Sequence, residues 1–204
     1  MNVAVVDYGL CNLDSVARAL EECGGRAAVT DVPEGILAAD AVILPGVGTF
    51  RDAMAELRSR GLEEALNQKV VEEGAPFLGI CLGMQLLAGI GHEVEQTPGL
   101  DWIPGEVERL QSCSPEERIP HIGWDELHFD TACPLFRGIE PGTDFYFVHS
   151  YHFRVAKDEH GIGRTPYCGG FVSAVGRDNI HGVQFHPEKS QKAGFKVLTN
   201  FLAM

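Results

Sequence analysis

The chain has 204 residues, with 16 Lys and Arg against 29 Asp and Glu, for a formal net charge of −13. That shortage of cations argues against a nucleic-acid footprint or an anionic membrane surface, both of which need clustered Lys and Arg. No apolar run approaches the ~20 residues needed to cross a bilayer. At 45% hydrophobic and 22% charged, the composition is that of a soluble globular protein, and residues 1–204 are expected to form one domain around a full core.

The opening "MNVAVVDYGL" lacks a basic leader region and reads as a strand, not a signal peptide. Six scattered cysteines (Cys11, Cys23, Cys81, Cys113, Cys133 and Cys168) form no C-x-x-C pair. Neither a zinc site nor a disulfide frame is suggested, and a reduced cytoplasmic compartment is expected.

In chain order, "VAVVDY" is a β-branched strand. Val16, Ala19, Leu20 and Cys23 then recur at helical spacing before a Gly24-Gly25 stop. "RAAVT" and "DAVILPG" read as buried strands, "TFRDAMAELRSRG" and "LEEALNQKVVEEG" as helices, and "PFLGI" as a further strand. Alternation of this kind predicts a mostly parallel sheet flanked by helices. From about Gly99, "WIPGEVERL", "IPHIGWDELHF", "DFYFVHSYHFRV", "GFVSAVGR" and "IHGVQFHP" predict a smaller, mostly antiparallel section. "EKSQKAGFKVLTNFLAM" closes the chain as an amphipathic helix, with Phe195, Leu198 and Phe201 on one side. The fold class is therefore α/β.

"GICLG" places Cys81 between Gly79 and Gly83, the spacing that lets a strand turn sharply into a helix with a nucleophile at its tip. A helix starting at Leu82 would aim free N–H groups at the thiol and favour its thiolate. The competing reading is a buried packing cysteine at a strand end. A thiol nucleophile needs a base, and "VQFHPEKS" offers His186 with Glu188 two residues on. In an extended segment that spacing puts ring and carboxylate on one side. His92, His128 and His160 fall in polar stretches expected to be exposed, and His149 and His152, three apart on a strand, make a poor metal pair.

"GICLGMQLL" with the later "QFHPE" resembles the class I, triad-type glutamine amidotransferases. The resemblance implies hydrolysis of the glutamine side-chain amide through a cysteinyl thioester. Cys81 would be nucleophile, His186 base and acid, and Glu188 its orienter, with no metal or organic cofactor. Further stretches, "VAVVDYGLCNLDSVARAL", "LPGVGTFRDAM", "IPHIGWDEL", "YFVHSYHF" and "HPEKSQKAGFKVLTNF", resemble the glutaminase subunits of imidazole glycerol phosphate synthases, nearly end to end. This narrower resemblance implies ammonia delivery to a (β/α)₈-barrel cyclase partner, with Asn12, Trp124, Tyr146 and Lys189 at or near the interface. Trp124 and Tyr146 could equally be core aromatics. Cys11 and Asp125 stand where that subfamily more commonly has glycine and asparagine.

On this reading the oxyanion donors are the Leu82 N–H and one amide of "PGVG", at Val47 or Gly48. Gly46, Gln85, Ser150 and Tyr151 would line the glutamine site. Val47 is β-branched where related glutaminases carry glycine and resists φ > 0. The resting "PGVG" segment is therefore expected to point an N–H away from the oxyanion until a partner acts. Two rival functions remain: a related glutaminase supplying ammonia for surface-sugar amidation, and a non-catalytic scaffold subunit of the same fold.

Overall fold

The segments at 2–6, 41–46 and 77–81 are buried on both faces, which is why they read as unbroken hydrophobic runs. By contrast "RAAVT", expected as a buried strand, lies at the sheet edge with no fully buried residue and Val29 51% exposed. In the computed structural model, which describes residues 1–129 and 133–204, β1 (Asn2–Val6) leads into α1 (Leu13–Glu22), and β2 (Arg26–Thr30) into α2 (Pro33–Leu37). β3 (Ala41–Gly46) is followed by α3 (Phe50–Ser59) and α4 (Leu62–Leu66). The helix widens to a π-helix over Asn67–Glu72 before β4 (Phe77–Cys81) and α5 (Leu82–Gln85). These strands build a parallel sheet in the order β2-β1-β3-β4. Val3, Val5, Ile43 and Leu78 enter one core cluster, and Ala4, Val6, Val42, Leu44 and Phe77 the other.

The second half adds β5 (Ile90–Gly91), β6 (Thr97–Pro98), β7 (Gly105–Arg109), β8 (His121–Phe129), β9 (Thr143–His149) and β10 (Tyr151–Val155). It ends with β11 (Gly161–Thr165), β12 (Phe171–Arg177), β13 (Ile180–Val183) and α6 (Gln191–Phe201). β13 returns to lie parallel beside β4, so the last strand of the parallel set in chain order borders the strand that ends in Cys81. Beyond it the sheet continues antiparallel through β12, β10 and β7, and β8 pairs antiparallel with β9. No helix among the described residues is long and apolar enough to cross a membrane.

One element was not foreseen and three further local expectations change. The five-residue α2, opened by Pro33, is too short to show a period, although proline suits a first helical turn. "DFYFVHSYHFRV" is two strands, not one: β9 pairs with β8, the chain breaks at Ser150, and β10 pairs with β7 and β12. The helix after Cys81 is a single turn, continued by looser turns that include Leu87 N–H to the Met84 carbonyl. His160 is buried, not exposed.

The turn into α5 depends on close backbone approach. A Cβ on Gly79 would lie 2.5 Å from the Gly83 carbonyl oxygen, and one on Gly83 would lie 1.7 Å from the Leu44 carbonyl oxygen. Gly83→Ala must push α5 off β3, and a loss of about 3 kcal/mol or more in urea unfolding is expected. An unchanged urea midpoint would show that this contact is not held.

Candidate active site

Cys81 ends β4 with φ 55° and ψ −108°, a sparsely populated conformation for a residue with a Cβ. It lines a cavity of about 300 Å³ together with Val47, Gly48, Leu82, Gln85, Glu93, Val148, His149, Ser150 and Tyr151. A larger cleft of about 690 Å³ beside His128, Arg164 and Arg177 contains none of the expected catalytic residues, so the smaller one is the candidate site.

His186 follows β13 and is buried, and its Nδ1 lies 2.8 Å from Glu188 Oε1. Glu188 sits in a 3₁₀ turn, Pro187–Lys189, so the pairing arises from that turn and not from an extended segment. Its side chain is 1% exposed. Burial alone would lower the His186 pKa, but hydrogen bonding and charge from Cys81 and Glu188 outweigh it and raise the imidazole from 6.5 to about 10. Nε2, on the far side of the ring from Glu188, is buried without an aligned hydrogen bond. The site thus favours an imidazolium beside sulfur, with Nε2 able to give a proton away.

His149 is shifted the other way. Burial lowers it to about 3, helped by the nearby His121, His152 and His186 and opposed only by its bond to the Tyr151 carbonyl. Neutral His149 gives its Nδ1–H to that carbonyl at 2.8 Å, and its Nε2 therefore accepts from His121 Nδ1 at 3.2 Å. The His121 Nε2 lies 3.4 Å from Asp125 Oδ2.

The oxyanion candidates are unequal. Leu82 is the first residue of α5, so its N–H has no partner within the helix. Val47 N–H instead donates to the Leu10 carbonyl at 2.9 Å. Val47 is not among the residues with positive φ, whereas Gly48 has φ +104°. Gly46 does not line the cavity; its missing Cβ makes room for the Tyr8 hydroxyl, 2.1 Å from where that atom would be. Gln85 does line it, and its Nε2 donates to the Tyr151 carbonyl and to Gln184 Oε1.

On the outer face, Trp124 and Tyr146 are directly opposite on β8 and β9, with ring centroids 5.9 Å apart, and the Lys189 ammonium lies 5.9 Å from the Tyr146 ring centre. Trp124 is 48% exposed and Ile122 60%, so Trp124 is a surface aromatic and not a core one. Asn12 is exposed ahead of α1 and does not cap it. Sequence reasoning missed Glu93, the one acidic side chain lining the cavity, whose Oε2 also caps α3 by accepting from Phe50 N–H at 2.6 Å. It missed Gln184 as well, although a polar amide inside the apolar run "GVQF" is a signal, because a buried carboxamide must be given partners.

A family model described as glutamine amidotransferase class-I matches residues 4–204. The chain belongs to the class-I glutamine amidotransferases. Among relatives of this amidotransferase, imidazole glycerol phosphate synthase subunit HisH of Moorella thermoacetica is 50% identical over 98% of this chain and 93% of its own. The HisH subunit of Rhodospirillum rubrum is 49% identical, covering 99% and 98%. Two solved structures share the fold: a glutamine amidotransferase, at TM-score 0.76, 22% identity and coverage of 98% and 97%, and PurLQS from Thermotoga maritima, at TM-score 0.74, 20% identity and coverage of 99% and 97%.

The neutral state of His149 sets a pH dependence for this amidotransferase. Its folded pKa is depressed from 6.5 to about 3, so its contribution to stability is complete above pH 6.5 and is lost as pH falls towards 3. His121, His152 and His181, also lowered chiefly by burial, act in the same direction. Urea unfolding of His149→Gln is expected to show a flatter acid limb across that window, by on the order of 2–5 kcal/mol. Equal slopes for variant and wild type would refute it.

Proposed function

We propose that this chain is the glutaminase subunit of a cytoplasmic imidazole glycerol phosphate synthase, releasing ammonia from L-glutamine for a (β/α)₈-barrel cyclase partner in histidine biosynthesis. The observation that carries the chemistry is geometric: buried His186, held by Nδ1 at 2.8 Å from Glu188 Oε1, follows the strand beside the one that ends in strained Cys81. The pathway rests on the near full-length likeness to HisH subunits.

His186 takes up the Cys81 thiol proton. The Cys81 sulfur attacks the side-chain carbonyl carbon of glutamine, and the carbonyl electron pair moves onto oxygen. As that pair returns, the C–N bond breaks and His186 Nε2 gives its proton to the leaving nitrogen, which departs as ammonia. Neutral His186 then takes a proton from water as the water oxygen attacks the thioester. Collapse of the second tetrahedral species expels the thiolate and leaves glutamate. Glu188 holds the ring by Nδ1 and stabilises its charged form throughout. Ser150, Tyr151 and Glu93 line the cavity; on this reading they receive the amino-acid end of glutamine, with Glu93 as countercharge to its ammonium.

One oxyanion donor is the Leu82 N–H. The second is an amide of "PGVG", at Val47 or Gly48; the Val47 N–H is committed to Leu10, so the Gly46–Val47 peptide must turn over before that amide can help. The absence of one such donor costs roughly 10²–10³ in rate, which would leave the isolated subunit nearly silent. The partner docks on the Trp124, Tyr146 and Lys189 face, with Asn12 nearby. Tyr146 and Val148 share one side of β9, and Val148 also lines the glutamine cavity, so this face runs to the mouth of the site.

Glutamate release from L-glutamine tests the reading. The chain alone should release little, and the separately expressed cyclase with its phosphoribulosyl substrate should raise the rate by about 10²–10³, with none from Cys81→Ala. Absence of any rise would send the ammonia to another synthase, such as one amidating surface sugars. No release under any condition would leave a scaffold subunit. Val47→Gly, which lowers the barrier to peptide rotation, should raise the unstimulated rate about ten-fold or more; strong release from the unaltered chain alone would remove the gate.

A further inference from the structure

Gln184 has no part in the steps above, yet it touches the reacting sulfur. It follows β13, and none of its surface is exposed. The direction of its carboxamide is set by an atom of unambiguous character, the Tyr151 carbonyl oxygen, which can only accept. That oxygen takes a hydrogen from Gln85 Nε2 at 2.9 Å, and His149 Nδ1–H reaches the same atom. Gln85 gives its second N–H to Gln184 Oε1 at 3.0 Å. The remaining end of Gln184, Nε2, then faces Cys81 Sγ at 3.6 Å and donates to it. Flipping the Gln85 amide would set its oxygen against a carbonyl oxygen, and flipping Gln184 would set two N–H groups face to face.

We propose that Gln184 is a catalytic residue that holds Cys81 as thiolate through its Nε2–H, while its Oε1 fixes Gln85 with only the Gln85 oxygen left for substrate. A donor aimed at sulfur stabilises S⁻ more than S–H, because the bond becomes charge-assisted. The thiolate then lies between the His186 imidazolium and this amide. Unlike the imidazolium, the amide cannot lose its proton during turnover, so it keeps sulfur a good leaving group when the second tetrahedral species collapses. Both Gln85 hydrogens are committed, so the group that Gln85 meets in the cavity must be a donor, such as the substrate's ammonium or carboxamide nitrogen. The inference rests on Cys81 being the glutaminase nucleophile, and cyclase-stimulated glutamate release by the unaltered chain against Cys81→Ala tests that separately.

The measurement is the pH dependence of Cys81 alkylation by iodoacetamide on the full chain, followed on the Cys81 peptide by mass spectrometry. It needs neither glutamine nor partner. Gln184→Leu removes the donor at similar volume, and Gln184→Glu keeps the shape while replacing the donor with a carboxylate oxygen, which makes it readable if Gln184→Leu does not fold. In both, the midpoint should rise by about one pH unit, so that Cys81 reacts about ten-fold more slowly near pH 7 while the high-pH plateau is unchanged. A purely structural role would lower the rate at every pH, plateau included. An unmoved midpoint in a folded variant, alongside glutamate release by the unaltered chain with the cyclase and its phosphoribulosyl substrate, overturns the role of Gln184 and leaves the glutaminase standing.

Discussion

Everything at this site depends on one strained residue. Cys81 adopts φ 55°, ψ −108°, at a cost of about 1–3 kcal/mol for a side chain with a Cβ. The surroundings over-determine it. β4 is hydrogen-bonded on both sides, to β3 and β13, and α5 is pressed so close to Leu44 that only glycine fits at position 83. Parallel register then brings the other parts to the same place. Gly46 pairs with Cys81, putting the "PGVG" turn beside the sulfur, and Val183 pairs with Ile80, so the chain leaving β13 carries Gln184 and His186 past it. The chemistry thus gathers at the carboxyl ends of three adjacent parallel strands, the usual place for a site in such sheets.

Two buried histidines near that point are driven in opposite directions by their partners. His186 has a carboxylate at Nδ1 and sulfur beyond Nε2, and is raised to about 10. His149 has only a carbonyl and other imidazoles around it, and is lowered to about 3. Burial alone would neutralise both, so the difference comes from what surrounds each ring: Glu188 and Cys81 favour the charged form of His186, while neighbouring imidazoles add to burial at His149. The result is a positive charge on the ring beside Cys81 and none on His149. Neutral His149 keeps Nδ1–H on the Tyr151 carbonyl and Nε2 free to accept from His121, which fixes the backbone at the break between β9 and β10.

The parallel half of the fold was legible because burial on both faces leaves runs such as "AVILPG" and "PFLGI" with no polar interruption. The sharp turn at Cys81 was legible because close backbone approach demands Gly79 and Gly83. The break at Ser150 was not, since "VHSYHF" alternates smoothly through a point where the pairing partner changes. His160 misled because acidic neighbours said nothing of its own burial. Glu188 was paired with His186 on the argument of an extended chain, and the pairing holds through a 3₁₀ turn instead. Local spacing could not show that Val47 gives its N–H to Leu10, a contact between distant loops.

That contact also sets the scale of the proposed gate. One backbone hydrogen bond is worth about 1 kcal/mol net. Turning the Gly46–Val47 peptide also drives β-branched Val47 toward φ values it avoids, adding about 1–3 kcal/mol. The sum, a few kcal/mol, is comparable with the ~2.7–4 kcal/mol that one oxyanion donor contributes. A gate of this size can silence the free subunit without unfolding anything, and a partner can open it with modest contact energy. Val47 is 44% exposed at the cavity mouth, and the Trp124–Tyr146 face reaches the same cavity through Val148. A protein seated on that face can therefore act on the peptide directly, so that the same docking that positions an acceptor for ammonia also permits its release.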